Sequence, residues 1–131
     1  MTTTRAQVRF VKREAGVSFN EHTSDIRAQF YVHKDGYPEG TGIDIAKSLL
    51  DGITLVDWEI DYLHTQRNDI DYIYYVWQDN HKDTWISIFD VQQEISERID
   101  SACIFVGEPL SLLKKWAFEY ATIDTIKLVT N

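Results

Sequence analysis

The residues that could do chemistry gather in one stretch, His33-Lys34-Asp35-Gly36-Tyr37-Pro38-Glu39-Gly40-Thr41-Gly42. One imidazole and two carboxylates so close together could move a proton or hold a divalent cation. A metal site needs further ligands in a closed geometry, and His22, His64 and His81 stand at no fixed spacing from this stretch. Gly36, Gly40, Gly42 and Pro38 also demand an unusual backbone shape. A glycine-rich turn that opens a helix outlines an anion site, because free N–H groups and the helix dipole converge there. Against this, no Lys-Ser or Lys-Thr pair follows, the spacing is not the dinucleotide fingerprint, and Glu39 would repel a phosphate. The alternative is a structural turn in which Tyr37 and Pro38 cover a sheet.

Two further groups carry chemical potential. Asp57, Glu59 and Asp61 alternate, and Asp69 and Asp71 add to the acid. A nuclease would use such carboxylates to hold magnesium, but would want a nearby lysine, and none lies between Lys47 and Lys82. A solvated face is the plainer alternative; imitation of a phosphate backbone is another. Tyr72 and Tyr74 project to one side of a β-prone run, and Ile73, Tyr75 and Trp77 to the other. One set must cover a core. The other, with Trp85 or Ile86 across a hairpin, could dock a protein or stack bases. Asp71 stands where RNA stacking would want a cation. There is no Gly-x-Ser-x-Gly, and Cys103 sits in the apolar run 102–106 as a structural, buried thiol. The expected site is therefore a binding site rather than a catalytic one, with no cofactor or metal.

These residues need elements to position them. Ala6, Val8 and Phe10 alternate with Gln7 and Arg9, which predicts a half-buried strand over 5–14. Ile26, Ala28, Phe30 and Val32 predict a second, paired antiparallel to the first. A helix follows over 42–51, with Thr41 as its N-cap and Gly52 at its C-terminal stop. Residues 54–63 fit a strand or a helical stripe; strand is preferred. Residues 71–77 and 84–90 predict the two strands at the centre of the sheet, joined by the turn-forming residues 78–83. Val91–Asp100 reads as a short helix or an irregular excursion. Gly107-Glu108-Pro109 opens a second helix with an apolar face of Leu110, Leu113, Trp116, Ala117 and Tyr120. Residues 123–129 extend it or form an edge strand. The expected fold is α+β, one domain over 1–131: an antiparallel sheet of about four to six strands with two main helices packed on one face.

Composition narrows the partners. With 21 acidic against 13 basic residues the formal charge is -8, the wrong sign for a phosphate-neutralising nucleic-acid binder and for anionic membranes. It suits a partner protein with a basic surface. Seven tyrosines and four tryptophans exceed the needs of a small core, so some are expected on a contact surface, and a homodimer is one way to use them. No stretch approaches the ~18 apolar residues of a membrane span. Residues 1–5 hold no apolar signal core. A single cysteine fits a reducing, cytoplasmic compartment.

Tyr31-x-His33-x-Asp35-Gly36-Tyr37-Pro38-Glu39-Gly40, followed by Asp69-Ile70-Asp71-Tyr72-x-Tyr74, resembles a pattern in small uncharacterised proteins of bacteriophages and prophages. There a His-x-Asp-Gly-Tyr-Pro loop precedes an Asp-Ile-Glu-Tyr-x-Tyr strand; Asp71 replaces the usual glutamate. The resemblance covers about residues 26–90. It implies phage origin and a location in the host cytoplasm, and it implies contact between the loop and the strand. Small phage accessory proteins inhibit or sequester host components, defence factors among them. The expected contact residues are His33, Asp35, Gly36, Tyr37, Glu39, Gly40, Tyr72 and Tyr74. A host protein is the first expected partner and a small nucleotide-type molecule the second; a metal-dependent hydrolase using His33 and Asp35 is the third alternative.

Overall fold

A computed structural model describes residues 3–12, 25–52, 58–63, 67–91 and 103–117. The readings of 92–100 and 123–129, and Tyr120 in the second helix, lie outside these residues. The described chain runs β1 (Ala6–Lys12), β2 (Asp25–Val32), a wide helical turn (Pro38–Gly42), α1 (Ile43–Asp51), β3 (Glu59–Ile60), β4 (Tyr72–Gln78), β5 (Thr84–Asp90), β6 (Cys103–Gly107) and α2 (Pro109–Trp116). The fold is α+β, with a sheet ordered β3-β2-β1-β4-β5-β6.

The sheet is mixed, which corrects the expectation of an antiparallel one. β1 pairs antiparallel with β2, with Val8 opposite Phe30, but parallel with β4, with Val8 opposite Tyr74. Hairpin reasoning found the antiparallel pairs β1–β2 and β4–β5. It could not find the parallel one, because residues 33–71 separate β2 from β4 and leave room for the crossover that parallel pairing needs. β1 thus acquires neighbours on both edges, and Ala6, Gln7, Val8 and Arg9 are all buried. The half-buried strand of the sequence reading is buried on both faces.

One face of the sheet carries Ala6, Val8, Val32, Tyr74, Val76, Ile86 and Ile88, clustered with Ile45 and Ala46 of α1 and with Leu112, Leu113 and Ala117 around α2. The other carries a second cluster of Val11, Tyr31, Ile70, Ile73, Tyr75, Phe89 and Val91. Both sides of β4 therefore belong to a core: Tyr74 is 0% exposed and Tyr75 4%. The aromatic surplus is spent inside more than the sequence suggested. β3 is shorter than the strand read over 54–63, and residues 53–57 and 64–66 are outside the described chain.

Helix ends follow sequence cues in part. Gly52, at φ 94°, terminates α1 in a conformation that suits glycine, and Pro109 opens α2 without losing an intrahelical bond. Thr41 does not cap α1: no side chain does. In α2 the buried residues are Pro109, Leu112 and Leu113, whereas Leu110 is 43% exposed. Leu112→Ala should therefore cost about 2–5 kcal/mol of unfolding free energy. Leu110→Ala should stay within about 1 kcal/mol. Urea titrations of the two variants check this assignment of faces.

Candidate functional site

The chain from His33 to Gly42 turns back on itself at Asp35, whose φ of 57° is left-handed. Its backbone groups are used within the loop and against β1. Gly36 N donates to Thr4 O (3.0 Å), Gly40 N to Tyr37 O (2.9 Å), and Thr41 N to Asp35 O (2.9 Å). Thr41 Oγ1 donates to the same Asp35 carbonyl at 2.9 Å. This explains why it does not cap the helix. These N–H groups point at carbonyls of the chain, so they are not offered to an anion. Two glycines are required by close approach. A Cβ on Gly36 would stand 2.8 Å from the Arg5 carbonyl carbon, and one on Gly40 2.4 Å from Asp35 O. Gly42 has ordinary room.

Tyr74 supports the loop from inside. Its phenol, buried in the helix-side core, donates to Gly36 O at 2.5 Å, and burial pushes its pKa well above 10. Loop and strand therefore touch, through a core contact. Tyr74→Phe should leave the Gly36 carbonyl without this donor and lower stability by about 1–3 kcal/mol, measured by urea unfolding.

Outside this anchor, the other singled-out side chains form an acidic and aromatic rim. Asp35, Tyr37 and Glu39 are exposed, and Tyr72 is half-buried. Tyr37 Oη donates to Asp35 Oδ1 at 3.1 Å, and this bond and charge raise the Tyr37 pKa. The Tyr72 pKa is raised by burial and then by Asp90, Glu39 and Asp71. Glu39 of the loop thus shares one corner with Asp71 and Asp90, which lie at the same end of the β4–β5 pair. His33 does not join Asp35: its Nε2 lies 2.8 Å from Glu59 Oε1, and its ring meets the edge of Tyr31 at 4.9 Å. This contact ties the loop entrance to β3, where Ile60 and the following Tyr62 are 87% and 80% exposed. Among the described residues no group of three or more His, Cys, Asp or Glu side chains is placed to hold a metal ion. Cys103 is half-buried on β6, less enclosed than expected.

Sequence reasoning missed a polar seam on the other face of the sheet. Gln7, Arg9, Gln29 and Ser87 are buried there, together with Asp61. Arg9 Nε donates to Gln29 Oε1 at 2.5 Å and Nη1 to Tyr75 Oη at 2.7 Å. Gln7 Nε2 donates to Asp61 Oδ2 at 2.9 Å. Arg67 grips the same carboxylate twice, Nε to Oδ2 at 2.8 Å and Nη2 to Oδ1 at 3.2 Å, and lies 3.8 Å over the Tyr31 ring. Tyr31 donates to Asp69, which also pairs with Arg5. Asp61, read as part of a solvated acidic face, has a side chain only 3% exposed. The available signal was the pair of amides, Gln7 and Gln29, beside Arg9 and Tyr31 on the supposed outer face of β1 and β2.

The Arg67 hydrogen bonds, helped by Gln7, hold the Asp61 pKa below its usual value. A depressed folded-state pKa means stability that is complete above the unfolded value of about 3.9 and lost as pH falls through the folded one. Asp61→Asn should flatten the acid limb of the stability profile between roughly pH 5 and 2, read from urea midpoints against pH.

Among known proteins, no family model, curated protein or solved structure matches this chain.

Proposed function

We propose that the chain is a phage-encoded accessory protein that binds a host component, a defence factor, and inhibits it without catalysis. The contact surface is the acidic, aromatic rim around Tyr37 and Tyr72. The observation that carries the proposal is the gathering of carboxylates on that corner: Asp90, Glu39 and Asp71 act on Tyr72, and Asp35 and Glu39 on Tyr37. Such a surface attracts a protein with a basic patch and speeds its encounter. Exposed tyrosine supplies contact area at low entropic cost. Ile60 and Tyr62, joined to the rim through the His33–Glu59 pair, extend the surface with apolar area.

The rigid loop supports binding without chemistry. Its Gly36, Gly40 and Thr41 backbone donors are already satisfied, and His33 is engaged with Glu59 rather than with Asp35. The Tyr74–Gly36 bond holds the loop before any partner arrives, so little ordering free energy is lost on contact. Among the described residues no helix is long and apolar enough to cross a membrane.

The test is capture from host lysate by immobilised protein, wild type beside Tyr37→Ala/Glu39→Lys. The expected result is one host protein retained in stoichiometric amount. Retention should weaken as salt rises and fall about tenfold or more in the variant, whose thermal unfolding is unchanged. Capture indifferent to the variant, or turnover of an added substrate, overturns the proposal.

A further inference from the structure

At the end of the sheet away from the loop, a cavity of about 790 Å³ opens beside the final residues of β1 and β4. Its described walls are of two kinds. Phe10, Val11, Leu49, Val76 and Trp77 are apolar, and Lys12, Arg27 and Lys82 bring cations to the same space. The volume is that of a small-molecule pocket, and the mixture is what a flat apolar body with a charged group would need.

Charge bookkeeping gives the sign of that group. Among the described residues neither Lys12 nor Lys82 has a carboxylate within ion-pair distance. Arg27 has Asp25 at 3.8 Å, with both side chains largely in solvent. The one carboxylate among the described walls, Asp79, is turned to the hairpin it organises. Asp79 Oδ1 accepts from His81 N (2.8 Å) and Asp83 N (3.0 Å), and Oδ2 accepts from Trp85 Nε1 (2.8 Å). It is committed to holding the turn in which Lys82, at φ 69°, projects. In a chain of net charge -8, three cations gathered on an apolar cavity run against the average. They present positive charge to an anion in that space.

We propose that this cavity binds a planar aromatic anion of nucleoside-monophosphate size. Phe10, Leu49 and Val76 would lie against the ring, and Lys12, Arg27 and Lys82 around the anionic group. Apolar burial supplies affinity, while the cations discriminate the charged molecule from its neutral parent. Gln78 and Thr84 offer hydrogen bonds to the edges of the ring. The site is at the other end of β4 from the rim, so a nucleotide and a protein partner would not compete for the same residues.

Titration calorimetry and tryptophan emission with the four common nucleoside monophosphates, their nucleosides and inorganic phosphate test this. At least one monophosphate should bind with a Kd about tenfold or more below that of its nucleoside. Inorganic phosphate alone should not reproduce it. Lys12→Gln and Lys82→Gln, both at exposed positions, should each raise the Kd about three- to tenfold. Glu39→Lys should leave it unchanged, which separates this site from the rim. No binding by any monophosphate, equal binding of nucleosides, or indifference to both lysine variants overturns the assignment.

Discussion

The hydrogen bond from Tyr74 to Gly36 is the contact on which the architecture turns. It joins the middle of the sheet to the loop that leads into α1, across a separation of 38 residues in the chain. Because the phenol is fully buried, its donor must be satisfied inside the protein, and the Gly36 carbonyl does this. The same loop can approach only because Gly36 carries no Cβ to meet the Arg5 and Ala6 backbone. A tyrosine in one strand and a glycine in one turn therefore fix where α1 begins, and α1 in turn completes the core with Leu112 and Leu113 of α2.

The two faces of the sheet are stabilised by different physics. On the helix side, aliphatic side chains exclude water. On the other, Arg9 is buried among neutral acceptors, and among the described residues no carboxylate lies within ion-pair distance of it. Gln7 stands between Arg9 and Asp61, accepting weakly from one at 3.5 Å and donating to the other at 2.9 Å. A buried cation without a direct counter-charge is costly unless dipoles are fixed around it. β1, β2 and β4 supply those dipoles. This ties the register of three strands to a few side chains, since a one-residue slip would turn each amide to the wrong face.

The helices, the central hairpin and the β1–β2 pairing were legible because each rests on local periodicity or turn chemistry. Gly52 and Pro109 were legible for the same reason. The parallel pairing of β1 with β4 was not, since nothing local in Ala6–Phe10 distinguishes a strand with one neighbour from a strand with two. That ignorance propagated: Gln7, Arg9 and Asp61 were assigned to solvent although the second face of the sheet is a core. Within the candidate site, the contact of loop and strand was readable from the paired motifs. The cavity residues were not, because Lys12 ends β1, Arg27 lies in β2 and Lys82 in the β4–β5 turn, and they meet only after folding.

The position of β1 has a kinetic consequence. It is the first strand of the chain, yet its pairing with β4 sets Ala6 opposite Tyr72. Contacts so distant in sequence raise the loop-closure entropy of the folding transition state and slow it. On the ribosome, at roughly 5–20 residues per second, β1 and β2 would wait some seconds with one edge of β1 unpaired. An early hairpin with an open edge is a template for pairing with other chains. The buried amides and the guanidinium on β1 oppose that, because a stray strand offers no oxygen dipoles in the right places. The polar seam that looks expensive in the finished protein would then act as a safeguard while it is being made.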